Sequence, residues 1–314
     1  MKNNKLRIRM KEYHRDNMIV IARQHYDKGE LLKAKSLYEK TLSAGIRDTE
    51  WMLELALLYD ELEAYDQAMD IYEKVIALDP QEPVAYYGIA ILYDHLDDFD
   101  KAIPYYEKAI SYDPTFLRAH FFLAYAYDQV GKNELAILNY QKALEIDDKD
   151  FWSLVNLSAL HEEGGEYALS EELINRAAMI EPDHYMVLFN KGVLAMRNHQ
   201  NKLAMECFNK TILIEPSYGY AYLNKGVILR DMGMLEEAIK VFGIGIKNCE
   251  DGVYLAYNRA CCYLKLGDVA TCEKELLVIL KEYPEMSDYM QEDKELEHLI
   301  KTSSKIKEIL RKDK

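Results

Sequence analysis

The chain has 314 residues, 49% of them apolar and 30% charged, which is enough apolar material for a core and excludes a wholly disordered chain. No run of about 18 uncharged apolar residues occurs, so no transmembrane helix is expected, and residues 1–10 lack the apolar stretch of a signal peptide. Net charge is −15 and uneven: residues 49–150 hold 7 Lys/Arg against 22 Asp/Glu. Such an acidic surface repels phosphate backbones and excludes a nucleic-acid partner. A cytoplasmic location is expected.

In chain order, residues 1–14 come first, with five Lys/Arg and one Glu. They are expected to extend the first repeat or to remain mobile; weak adhesion to anionic lipid is the functional alternative. From residue 15 a 34-residue register begins. Asp79-Pro80, Asp113-Pro114, Glu181-Pro182, Glu215-Pro216 and Tyr283-Pro284 share one phase, which divides the chain into 15–48, 49–82, 83–116, 117–150, 151–184, 185–218, 219–252 and 253–286. Each unit reads as two helices, the second stopped in five of the eight by the proline at position 32, where the others carry Ile46, Asp148 and Glu250. Position 8 holds Ala22, Ala56, Ala90, Ala124, Ser158, Gly192, Gly226 and Ala260. Position 20 holds Ala34, Ala68, Ala102, Ala136, Ser170, Ala204, Ala238 and Cys272. Small residues at both positions let the paired backbones approach closely. Tyrosines at position 11 (Tyr59, Tyr93, Tyr127) and aromatics at position 24 (Tyr38, Tyr72, Tyr106, Tyr140, Phe208, Phe242) fill the space beside them. Pro104 falls inside a second helix, where a local kink is expected. Residues 287–314 place Leu296, Leu299, Ile300, Ile306, Ile309 and Leu310 at helical spacing. They predict a capping region whose final helix starts at Ser303 or Ser304.

In period, small-residue columns, aromatics and proline, the chain resembles the tetratricopeptide repeat (TPR) family; residues 83–116 match that pattern most fully. The resemblance implies an all-α, right-handed superhelix of eight helical hairpins with C-terminal capping helices. Units 151–184 and 253–286 depart from the pattern, with His161, Ile174 and Leu276 in aromatic columns.

Chemistry-bearing motifs are missing. There is no H-E-x-x-H, no phosphate-binding glycine loop and no G-x-S-x-G, and the nearest string, His161-Glu162-Glu163-Gly164-Gly165, lacks a second histidine. Cys207, Cys249, Cys261, Cys262 and Cys272 show no zinc spacing and are expected to be buried and reduced. Neither enzymatic activity, cofactor nor metal site is expected.

Positions 2, 5, 6, 9, 12 and 13 of each first helix share one face by the i, i+3, i+4 rule. The family resemblance implies that this face lines the inner groove. Candidate anchors for a peptide are Tyr87, Phe121, Tyr125, Phe189, Tyr220 and Tyr257, although position 5 also has the alternative of packing between adjacent units. Asn156, Asn190, Asn224 and Asn258 recur at position 6. An amide both donates and accepts, so this column suits the backbone of an extended peptide, and it resembles an asparagine ladder of TPR superhelices. Asp60, Asp94 and Asp128 recur at position 12 and favour a ligand with apolar anchors and basic residues. TPR domains that clamp acidic chaperone tails use Lys or Arg at positions 2, 5 and 6. Here those positions of the acidic half offer only Arg118, so such tails are not expected. The expected function is a protein-protein interaction scaffold. A regulatory or assembly subunit contacting partners through its edges or convex face is the alternative.

Overall fold

A computed structural model describes residues 17–45, 47–250 and 252–312, and every regular element among them is an α-helix. The helices come in hairpins: α1 (17–27) with α2 (Leu31–Ser43), α3 (Thr49–Glu61) with α4 (Tyr65–Leu78), α5 (Pro83–Asp94) with α6 (Phe99–Tyr112) and α7 (Leu117–Gln129) with α8 (Asn133–Ile146). There follow α9 (Phe151–Glu163) with α10 (Tyr167–Ile180), α11 (Tyr185–Arg197) with α12 (Asn201–Ile214), α13 (Gly219–Asp231) with α14 (Leu235–Asn248) and α15 (Val253–Lys265) with α16 (Val269–Glu282). Three shorter helices close the chain: α17 (Met286–Glu292), α18 (Glu297–Thr302) and α19 (Ser304–Lys312). The readings placed on residues 1–14 fall outside the described residues.

One backbone device makes every hairpin. The N–H of Ala64 donates to Tyr59 O (2.8 Å), Asp98 to Tyr93 O (3.0 Å) and Lys132 to Tyr127 O (2.8 Å), and the same bond recurs as far as Asp268 to Tyr263 O (2.9 Å). This six-to-one closure requires a left-handed residue just before the donor. Those residues are Gly29, Glu63, Asp97, Gly131, Gly165, His199, Gly233 and Gly267, with φ from +54° to +83°. Three of the eight are not glycine and carry a β-carbon in a region that disfavours one.

Packing follows the small-residue columns. All sixteen residues at positions 8 and 20 are buried, and Ser158 Oγ bonds both Ser170 O and Ser170 Oγ at 3.0 Å. The position-24 rings Tyr38, Tyr72, Tyr106, Tyr140, Phe208 and Phe242 are among the largest fully buried side chains. Helix α6 is 14 residues long, like α4 and α8, and runs through Pro104, which removes one backbone donor without ending the helix.

The chain divides into two compact units between Ser153 and Leu154. In the first, Trp51, Met52, Leu55 and Leu58 join residues of α1 to α5 in one apolar cluster. In the second, Met286, Met290, Leu296, Leu299, Ile306 and Leu310 extend the core of α15 and α16 into the last three helices. Ser303 Oγ accepts the Ile306 N–H at 3.1 Å and caps α19. All five cysteines are free thiols. Burial pushes Cys261 and Cys272 up to about 12 and Cys262 up to about 11, so these three are poor nucleophiles.

Candidate functional site

In the first unit Asp60, Asp94 and Asp128 stand in the last turns of α3, α5 and α7, each half-buried. The Tyr106 hydroxyl donates to Asp94 Oδ2 at 2.6 Å. His95 Nε2 lies 3.4 Å from Asp60 Oδ1, an ion-pair distance without hydrogen-bond geometry, and Tyr65 stacks on the His95 ring. Asp60 Oδ1 and Asp94 Oδ1 are buried and accept no hydrogen bond. Burial therefore raises all three carboxyls, pushing Asp94 up to about 6.

Tyr125 is 37% exposed and meets Phe99 edge-on, with ring centroids 5.9 Å apart. Burial, then the negative charges of Asp94, Asp97 and Asp128, raise its hydroxyl. Tyr125 and its carboxylates thus form an open, acidic and aromatic patch. Tyr87 and Phe121 belong elsewhere. Tyr87 packs on Phe116, just before the next hairpin, and on Phe122 within it (4.9 and 6.0 Å), and Phe121 packs on Phe122 and Tyr140 of its own hairpin (5.1 and 5.7 Å). Both are half-buried. Tyr87 seals a seam between hairpins and Phe121 fills space within its own, because a ring at position 5 gains more contact against its neighbours than in water.

In the second unit Val155, Phe189, Val193, Met196 and Asn224 line a recess of about 380 Å³. Glu162 and Arg197, an ion pair, stand at its edge. Tyr220 is 63% exposed and borders this recess, with Phe189 and Tyr218 behind it at 6.5 and 5.8 Å. Its other side borders a second recess of about 530 Å³, which Tyr254 (50% exposed) also lines. Phe189 is half-buried and packs on Tyr218, in the turn that leads into the following hairpin, and on Tyr220 within it.

The asparagine column is not uniform. Asn190 is only 9% exposed and donates to Val155 O at 3.4 Å. Asn258 donates to Tyr254 O at 2.9 Å, and its carbonyl accepts from Arg230 Nη1 at 2.8 Å. Asn156 and Asn224 are half-buried, and both line the smaller recess. Tyr257, expected as an exposed anchor, is instead 3% exposed. Tyr289 of α17 packs on its ring, and its hydroxyl donates to Asp293. The C-terminal helices cover it because the last hairpin would otherwise leave this apolar face in water.

Met186, Met196 and Arg197 stand at the expected groove positions of the register, whereas Asp97 and Phe99 join these surfaces from outside those positions. Their only sequence signal is their place in the register, and side-chain direction decided the rest.

Models of the tetratricopeptide repeat match residues 19–83, 83–116, 117–150, 219–243 and 254–285, together more than half of the chain. No curated protein matches it in sequence. Among solved structures it is similar to the APC/C hetero-tetramer Cut9–Hcn1 (17% identity, TM-score 0.64, covering 90% of this chain and 52% of that one). It spans about half the length of that chain. It is also similar to a tetratricopeptide repeat protein from Parabacteroides merdae ATCC 43184 (16% identity, TM-score 0.65, 84% and 97% covered). A third likeness is to YrrB, a TPR protein with an unusual peptide-binding site (21% identity, TM-score 0.51, 59% and 95% covered). Likeness at these identities concerns the fold. The hairpin geometry and the matched models agree: the chain belongs to the tetratricopeptide repeat family.

Proposed function

We propose that this TPR chain is a non-enzymatic scaffold of eight repeats (15–286) and a cap (287–314) that holds a protein segment along its groove faces. The observation that carries the reading is Tyr220, an aromatic ring 63% exposed between two recesses. An open ring flanked by two recesses offers a partner an anchor point, and tyrosine is enriched among residues that dominate binding. Asn224 beside it offers an amide to a ligand backbone. In the first unit the ligand is cationic, matching Asp60, Asp94 and Asp128 and the net −15 of residues 49–150. YrrB, whose fold is similar, has a peptide-binding site.

A second reading, an assembly subunit contacting partners through its convex face, draws on Met179 and Leu213. Both are 81% exposed near the ends of α10 and α12, one repeat apart.

A pull-down from the native host with wild type and a Tyr220→Ala/Asn224→Ala variant tests the groove. A partner lost with the variant supports it; partners retained by the variant and lost from Met179→Lys/Leu213→Lys support the convex face instead. Replacing Asp60, Asp94 and Asp128 by Asn should lower the association rate and flatten its salt dependence.

A further inference from the structure

We infer that capture of a cationic segment by the first unit is linked to loss of a proton from Asp94. The inference rests on the groove reading above and concerns its regulation. Asp94 closes α5 where three elements meet. Only one of its oxygens has a donor, the Tyr106 hydroxyl of α6; the other is buried and accepts nothing. A carboxylate solvated on one side only is a poor anion. Among the described residues no lysine or arginine forms an ion pair with Asp94, Asp97 or Asp128.

The charged and titratable groups facing Asp94 come from every side. Its own helix and cap bring Tyr87 and His95, the turn brings Asp97, α6 brings Tyr106 and α7 brings Tyr125. Arg118 and Asp60 reach Tyr87 in turn. Of these only Asp97 opposes ionisation of Asp94 by its charge, Tyr106 and His95 favour it, and the largest influence is burial, which opposes it. The result is a carboxyl that titrates near 6 while the groove is empty. A guanidinium or ammonium placed beside it stabilises the anion and drives the proton off. By linkage, affinity for that cation must fall as pH drops through 6.

The test uses a labelled peptide, (Arg-Ala-Leu)4, and its neutral counterpart (Gln-Ala-Leu)4, neither of which titrates between pH 5 and 7. Wild type should bind the arginine peptide about tenfold more weakly at pH 5 than at pH 7, the factor set by a carboxyl titrating near 6. Calorimetry at pH 6 in buffers of different ionisation enthalpy should show about half a proton released per peptide bound. Asp94→Asn should bind equally at both pH values, near the weak pH 5 level, with helicity unchanged by circular dichroism. His95→Gln should keep the pH dependence. Binding at pH 6 with no proton release, or a pH dependence abolished by His95→Gln and kept by Asp94→Asn, overturns the linkage alone. Equal binding of both peptides at every pH, or none, overturns the cationic-groove reading and the linkage with it.

Discussion

Phe242 lies so close to Gly226 that a β-carbon on the glycine would stand 2.2 Å from Phe242 Cε1. Gly192 and Phe208 repeat the relationship one hairpin earlier, at 2.7 Å. In the repeats with alanine at position 8 no such conflict arises. Helix propensity alone makes Gly226→Ala stabilising by about 1 kcal/mol. Overpacking opposes it with about 1–3 kcal/mol, since Phe242 is fully buried and has nowhere to move. Gly226→Ala is therefore expected to lower the urea midpoint, and a raised midpoint would show that the ring has room to shift.

The left-handed column makes a prediction of opposite sign. Glu63 holds φ at 55° and Asp97 at 54°. A left-handed residue with a β-carbon costs about 1–2 kcal/mol, less for Asp, whose short polar side chain tolerates the region. Glycine gives back about 0.5–1 kcal/mol in lost chain entropy. Glu63→Gly should thus stabilise by about 0.5–1 kcal/mol and Asp97→Gly by roughly nothing. Equal shifts in thermal denaturation would refute the ranking.

Asp94 also makes stability depend on pH. Its folded value near 6 lies above the ordinary 3.8, so the fold favours the protonated form. That preference is fully present below about 3.8 and is lost as pH rises through 6. Asparagine cannot ionise and still accepts the Tyr106 hydroxyl. Asp94→Asn should raise the urea midpoint at pH 7, and the margin should vanish by pH 4. The same margin at both pH values would mean that the carboxyl is well solvated as an anion.

A part-buried hydrogen bond helps to hold the C-terminal cap on the last repeat. Tyr257 donates to Asp293, which in turn accepts the Glu295 N–H at 2.7 Å. Removing the hydroxyl in Tyr257→Phe should loosen α17 and α18 by about 1–2 kcal/mol, because the carboxylate loses a donor while the ring keeps its packing. Hydrogen exchange should quicken over residues 286–302 and stay unchanged over α11 and α12. Quickening throughout the second unit would instead make the cap inseparable from the repeats.

The hairpin fold was legible in the chain because it rests on volume. Small residues at positions 8 and 20 recur wherever two helices must meet, rings fill position 24 in six of the eight repeats, and each repeat touches mainly its neighbours, so local pattern and packing coincide. The capping role of Ser303 was legible for the same reason: it concerns backbone groups a few residues away. The acidic character of the first unit also followed from composition alone.

Which side chains of the expected groove positions stand open was decided only by tertiary packing. Tyr87, Phe189 and Tyr257 occupy the same repeat position, yet the first two seal seams between hairpins and the third lies under α17. Asn258 looks like Asn224 in the register, but Arg230 from the preceding repeat takes its carbonyl. Asp94 reads as one more surface acid until Tyr106 and the neighbouring helices strip water from one oxygen. Repeat position sets which face a residue lies on. The neighbouring repeat sets whether it meets water, because burial and hydrogen bonding are sums over side chains that the period does not specify.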